Sequence, residues 1–233
     1  MTMRRLVRSE FRKLTSTKMP LAFLGVLLAF AVINAVIVVA GTDMDGSKTF
    51  ISTAADQQSL VAFAANGFIL AALFGAIAVA REYGHHTVIP MFLASPRRHR
   101  AVGAQLGAVA VGGAVLSVVG TALTIAAVAL ALPTTDYGFL VSAGNVLRLL
   151  GAAAFAGAAG AVFGAGFGSI VRSVGGAVTG TTIALIIAPP LIVQMANDTA
   201  SWMPNILANV LAGAGTDVST PAQINEVFDP IAY

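Results

Sequence analysis

PLAFLGVLLAFAVINAVIVVA, Pro20 to Ala40, holds no Asp, Glu, Lys or Arg. At about 1.5 Å of rise per residue, a helix of this length matches a hydrocarbon core of roughly 30 Å. Four further segments pass the same test: Leu60 to Ala80, Ala101 to Leu132, Val146 to Ile170 and Val174 to Gln194. The third is long enough to tilt or to protrude into water. The fourth and fifth are separated by so few residues that they should form a tight antiparallel hairpin. The reading is an all-α, polytopic membrane protein with five visible spans, forming one transmembrane domain over residues 1–233.

Composition agrees. Of 233 residues 57% are hydrophobic and 10% charged, with a mean hydropathy of +0.86, well outside the range of water-soluble domains. The chain has no cysteine, which excludes a disulfide scaffold and thiolate metal sites. Net charge is +3, but the basic residues lie beside apolar runs and do not interleave with aromatics, so nucleic acid is not an expected partner. The first apolar run reads as a retained anchor in preference to a cleaved signal peptide, because it exceeds the 7–15 residues of a signal core and no small-x-small cleavage site follows it.

The Lys and Arg distribution sets an orientation. With a cytoplasmic N-terminus, the inside receives Arg4, Arg5, Arg8, Arg12, Lys13, Lys18, Arg81, Arg97, Arg98, Arg100 and Arg172, leaving Lys48 and Arg148 outside. A multi-pass protein of a bacterial plasma membrane is expected. Before the first span, Met3, Val7, Phe11 and Leu14 recur at helical spacing among basic residues, the pattern of an interfacial amphipathic helix over residues 1–19. Beyond the fifth span, Met203, Ile206, Leu207, Val210 and Leu211 suggest a second amphipathic helix, with Ser201 as its N-cap and Gly213 as its stop. The segment 197–233 would then lie outside, and FDPIAY at its end reads as the approach to a sixth span that this chain does not include.

Small residues four apart, Gly103 and Gly107, then Gly160, Gly164 and Gly168, then Gly176 and Gly180, are expected to let helices approach closely in lipid. Pro189 and Pro190 should break or kink the fifth helix near its outer end.

Sites of chemistry are scarce. GTDMDGSKT, Gly41 to Thr49, imitates a phosphate-binding loop, but Ser47 separates Gly46 from Lys48 and no strand precedes it. His85, His86 and His99 lack the i, i+4 spacing of a zinc helix. No nucleophile motif is present, so an enzyme is not expected. None of the spans carries a central charge, which argues against a proton- or sodium-coupled carrier. Their polar groups are mild, and Asn34, Asn66, Thr121 and Thr181 are the candidates for a substrate pathway. Interhelical hydrogen bonding is the plainer role for them.

AREYGHHTVIPMFLASPRRHRAVGAQL, Ala80 to Leu106, lies between the second and third spans. It resembles the bacterial type 2 ATP-binding-cassette (ABC) exporter permeases, in which a Glu-Tyr pair ends the second span, a Thr follows, and an apolar stretch leads to Pro-Arg-Arg. Glu82, Tyr83, Thr87, Leu93, Pro96, Arg97 and Arg98 match. RLVRSEFRKL, Arg5 to Leu14, resembles the family's elbow helix, on which Val7, Phe11 and Leu14 supply the apolar face. Gly84, His86 and Gln105 depart from the pattern, as does the absent sixth span.

The resemblance implies that the loop 81–100, with Phe92 on its apolar face, couples to a separate cytoplasmic ABC ATPase. ATP and Mg²⁺ would be bound there, and no cofactor by this chain. It further implies a second permease copy or paralogue, membrane lipids as neighbours, and export of an amphipathic small molecule or lipid-like substrate. The competing expectation is a non-transporting membrane anchor or assembly subunit for a cytoplasmic protein.

Overall fold

The protein is described by a computed structural model covering residues 3–42, 46–64, 67–84 and 98–195. Among them there is no strand, and the architecture is all-helical. Helix α1, Met3–Ser16, runs into α2, Met19–Ala40, across a two-residue bend. Pro20 sits in the first turn of α2, where its missing N–H leaves no bond unmade. At the far end of α2 the Lys48 ammonium donates to the carbonyls of Val38 (3.2 Å) and Val39 (2.5 Å), placing a cation on the negative end of the helix dipole.

Helix α3, Ala54–Ala64, opens with a reciprocal capping box. The Thr53 N–H and hydroxyl donate to Asp56 Oδ2 at 3.1 and 2.6 Å, and the Asp56 N–H donates to Thr53 Oγ1 at 3.2 Å. Helix α4 is Gly67–Gly84, α5 is Arg98–Ala131 and α6 is Ala143–Val171. At 1.5 Å per residue the 34 residues of α5 reach roughly 50 Å, more than the roughly 30 Å of a hydrocarbon core.

Among the described residues, four stretches are long and apolar enough to cross a membrane: Met19–Ala40, Ala54–Gly84, His99–Thr134 and Ala143–Val171. Their outward faces carry large apolar side chains more than half exposed, among them Leu21, Leu28, Val115, Leu130, Phe155 and Ile170, an unfavourable arrangement in water and a stable one in hydrocarbon. The second stretch begins six residues earlier than the sequence suggests, because the capping box starts α3 at Ala54.

The fifth expected span, Val174 to Gln194, differs more. It consists of α7, Val174–Thr182, a π-helical turn, Ile183–Ile187, and α8, Ala188–Met195, and its longest apolar piece falls short of the other four. The proline pair does not break it. Both prolines follow on the π turn, and the helix continues through them. The winding loosens just upstream instead: the Ala188 N–H donates to Ile183 O, an i to i−5 bond.

Helix α4 is the centre of the bundle: the stretch Ala54–Gly84 that contains it has 64% of its apolar window buried, against 22% for α2. It packs most extensively on α6, and also on α5 and α7, while α2 packs on the outer side of α5. The α4–α6 contact is made by glycines. A Cβ on Gly160, Gly164 or Gly168 would fall onto the carbonyl oxygens of Phe68, Ala72 and Ala76 respectively, a constant offset that makes the two helices parallel neighbours with touching backbones. Gly113 and Gly157 bring α5 and α6 together in the same way. The same spacing at Gly103 and Gly107 does something else: both are exposed and face open space, so they pack no helix among the described residues.

The expected hairpin is present. Arg172 adopts the left-handed conformation (φ 59°), its N–H donates to Gly168 O, and the Ser173 side chain then caps α7 by accepting from the Gly176 N–H. Gly180 lies against Phe167 and Gly176 against Val171, the pairing of antiparallel helices. At the opposite end of the bundle, Gln57 is fully buried. Its amide donates to Ile51 O (3.0 Å) and Gly138 O (2.9 Å), and its carbonyl accepts from the Leu140 N–H (2.9 Å), tying both loops of that end to α3.

Candidate functional site

The residues that chemistry could use collect at the basic end, where α1 meets the C-terminal end of α4 and the start of α5. Helix α1 turns Leu6 and Glu10 into the protein, both under a tenth exposed, while Val7, Phe11 and Leu14 are half-buried beside them. The apolar face read from the sequence therefore lies at the rim of the contact and retains surface for lipid.

Glu10 is compensated through Lys13. The Lys13 ammonium donates to Glu10 Oε1 at 2.7 Å and to Glu82 Oε1 at 3.2 Å, and the Gln105 amide donates to Glu82 Oε2 at 2.9 Å. Three helices are thus joined by one chain of polar contacts. Partial burial acts to lower the affinity of Lys13 for its proton, but the hydrogen bond to Glu10 and the charges of Glu82 and Glu10 outweigh it, and the pKa stands above the ordinary lysine value.

Tyr83, next along α4, faces the other way. The Arg172 guanidinium lies 5.7 Å from its ring centroid, within cation–π range, so the α6–α7 turn is tethered to the same helix end. The Glu-Tyr pair is a junction. Glu82 holds α1 and α5, and Tyr83 holds the hairpin.

Beside Glu82 lies an open cleft of about 320 Å³, with Arg81, Thr17 and the Glu10–Lys13–Glu82 network on its polar side and Ala78, Ala108 and Val109 on its apolar side. No His, Cys, Asp or Glu cluster able to hold a metal ion occurs among the described residues.

Of the other residues singled out in the sequence, Thr87, Phe92, Leu93, Pro96 and Arg97 of the loop, Asn66, and the amphipathic segment after residue 200 lie outside the described residues. Asn34, Thr121 and Thr181 are all buried, and none of them lines the cleft. Asn34 Nδ2 donates to Phe30 O at 2.8 Å and Thr121 Oγ1 to Ser117 O at 2.9 Å, each a bond within its own helix. The Thr181 hydroxyl has no partner among the described residues, nor does that of Ser117. Asn34 on α2 and Thr181 on α7 stand on opposite flanks of the bundle, since α2 packs on α5 while α7 packs on α4 and α6.

Sequence reasoning did not identify Lys13 and Gln105 as partners of Glu82, Arg172 as the partner of Tyr83, or Glu10 as the second carboxylate on Lys13. The available signal was local: Glu10 is the one acidic residue of a basic helix and stands three residues from Lys13, a spacing at which side chains meet. The chain matches no protein-family model, no curated protein and no solved structure.

Proposed function

We propose that this chain is the membrane-spanning permease subunit of an ATP-driven exporter, inserted with its N-terminus in the cytoplasm of a bacterial cell and powered by a separate ABC ATPase. The observation that carries the reading is the junction at Glu82 and Tyr83. An amphipathic helix, the end of the most buried span, the start of the longest helix and the α6–α7 turn all meet immediately before the loop that resembles a coupling element.

A push on that loop would reach α4 first. Because α4 packs on α5, α6 and α7, and its contact with α6 runs backbone to backbone from Gly160 to Gly168, a tilt of α4 would carry α6 with it. ATP binding in the partner would supply the push, and a second permease copy would supply the other wall of the pathway. The apolar helix surfaces and the absence of a central charge in the spans fit an amphipathic or lipid-like cargo. Gln105 gives Glu82 a neutral donor where relatives would carry a lysine, so here the ammonium comes from α1.

Efflux tests the reading. Cells lacking the chain should retain neutral and cationic amphipathic dyes longer than cells carrying it. Thr121→Val and Asn66→Ala should change the efflux of at least one dye while the complex with its ATPase stays intact. Efflux indifferent to the chain's deletion, with ATPase recruitment preserved, would leave a membrane anchor as the function.

A further inference from the structure

The cleft at the basic end has a charge pattern that the Glu10–Lys13–Glu82–Gln105 network does not use up. Lys13 is engaged by two carboxylates, and Glu82 also accepts from Gln105. Two groups on the lining are left over. The Arg81 guanidinium, half-buried, makes no hydrogen bond or ion pair with a described residue. Glu10, only 7% exposed, spends one carboxylate oxygen on Lys13 and has no described partner for the other. The cleft thus offers one free guanidinium and one free carboxylate oxygen over a floor of Ala78, Ala108 and Val109.

A half-buried guanidinium without a counter-ion is costly to keep, and the second oxygen of the Lys13-paired Glu10 can still accept, so an incoming group of opposite sign is favoured at each. A purely anionic ligand would meet Glu10, and a purely cationic one would meet Arg81. A ligand carrying both signs, on an apolar body, satisfies both. The volume of about 320 Å³ falls at the small end of ligand sites, suited to a headgroup with its first glycerol atoms and too small for a whole lipid. The cleft also adjoins the amphipathic α1, where headgroups are at hand in a membrane.

We propose that this cleft is a binding site for one resident phospholipid of the phosphoethanolamine class. Arg81 would hold the phosphate in a bidentate contact, Glu10 would accept from the primary ammonium, and the glycerol would lie along Ala78 and Val109. Phosphatidylcholine has no N–H to donate to Glu10, and phosphatidylglycerol has no cation. The inference rests on membrane embedding alone and is independent of the exporter reading.

The test is native mass spectrometry of the full chain released from nanodiscs of equimolar phosphatidylethanolamine, phosphatidylglycerol and phosphatidylcholine. Phosphatidylethanolamine is expected to remain bound at least threefold more often than either competitor. Arg81→Gln and Glu10→Gln should each remove that preference, while Arg148→Gln, on the exposed surface of α6 at the other end, should leave it unchanged. Should Glu10→Gln fail to fold, Arg81→Lys carries the test: it keeps the charge, loses the bidentate fork, and should lower retention severalfold. Equal or greater retention of phosphatidylglycerol, or a preference indifferent to Arg81, overturns the proposal.

Discussion

Gly164→Leu is expected to abolish the monodisperse folded protein in detergent. A Cβ at this position would lie on the Ala72 carbonyl oxygen and within contact of its carbon and Cα. All three are backbone atoms of α4, the most buried helix, so no side chain can swing aside. Overpacking a core with flexible neighbours costs about 1–3 kcal/mol, and here the helices must separate along the stripe that Gly160 and Gly168 share. A loss beyond that range, comparable with the total stability of many domains, is expected. The matched control is Gly103→Leu, where nothing lies within 4 Å, and its thermal unfolding should stay within about 0.5 kcal/mol of the parent. Size-exclusion profiles and thermal unfolding of the two variants check the contrast. Equal behaviour would mean that α4 and α6 are not in backbone contact.

The second large effect is expected from Lys13→Met. The substitution keeps the length and apolar stem of the side chain and removes the ammonium that Glu10 and Glu82 share. Glu10 is then left nearly buried without its cation, beside a second carboxylate of like sign. Breaking a fully buried pair costs roughly 3–5 kcal/mol, but Lys13 is 44% exposed, and solvent screening brings the expected cost down to about 1–3 kcal/mol. Helix α1 should loosen first. Because the chain has no cysteine of its own, Leu6→Cys reports this directly: slow to react with a maleimide in the parent background, it should react several times faster with Lys13→Met. Adding Glu10→Gln should restore part of the protection, which loss of packing alone would not allow.

The pH dependence has a definite sign. Since the Lys13 pKa is raised in the folded protein, its contribution is complete below the unfolded value of about 10.4 and is lost only as pH rises through the higher folded value. Near neutrality the tether of α1 should be insensitive to pH on the lysine side.

The helices were legible in the sequence because apolar run length is a one-dimensional property. Pro20 to Ala40 and Val146 to Ile170 need no partner to be recognised, and the structure extends them by a few residues to the caps that close them. Partners are a different matter. Gly160, Gly164 and Gly168 share their spacing with Gly103 and Gly107, yet the first set faces the α4 backbone and the second faces open space. Spacing fixes a face of a helix without fixing what stands opposite.

The prolines were legible only in part: they mark a disturbed stretch of the fifth expected span, which takes the form of a π turn just before them and not of a break. A proline inside a helix costs a hydrogen bond, but Pro189 and Pro190 fall just after a π turn, and that winding is encoded by no motif. At the junction, Glu82 and Tyr83 stood out through resemblance. Lys13 lies 69 residues from Glu82, and only the folding of α1 against α4 and α5 brings them together.

The most direct measurement is co-purification of the full chain from its native membrane, with mass spectrometry of what accompanies it. A Glu82→Ala, Phe92→Ala variant would be processed in parallel. Recovery of a nucleotide-binding subunit with the parent chain is expected, together with at least a tenfold loss from the double variant at equal permease yield. Absence of any ATPase from the parent sample, or its undiminished recovery with the double variant, would contradict a permease driven through the Glu82 junction.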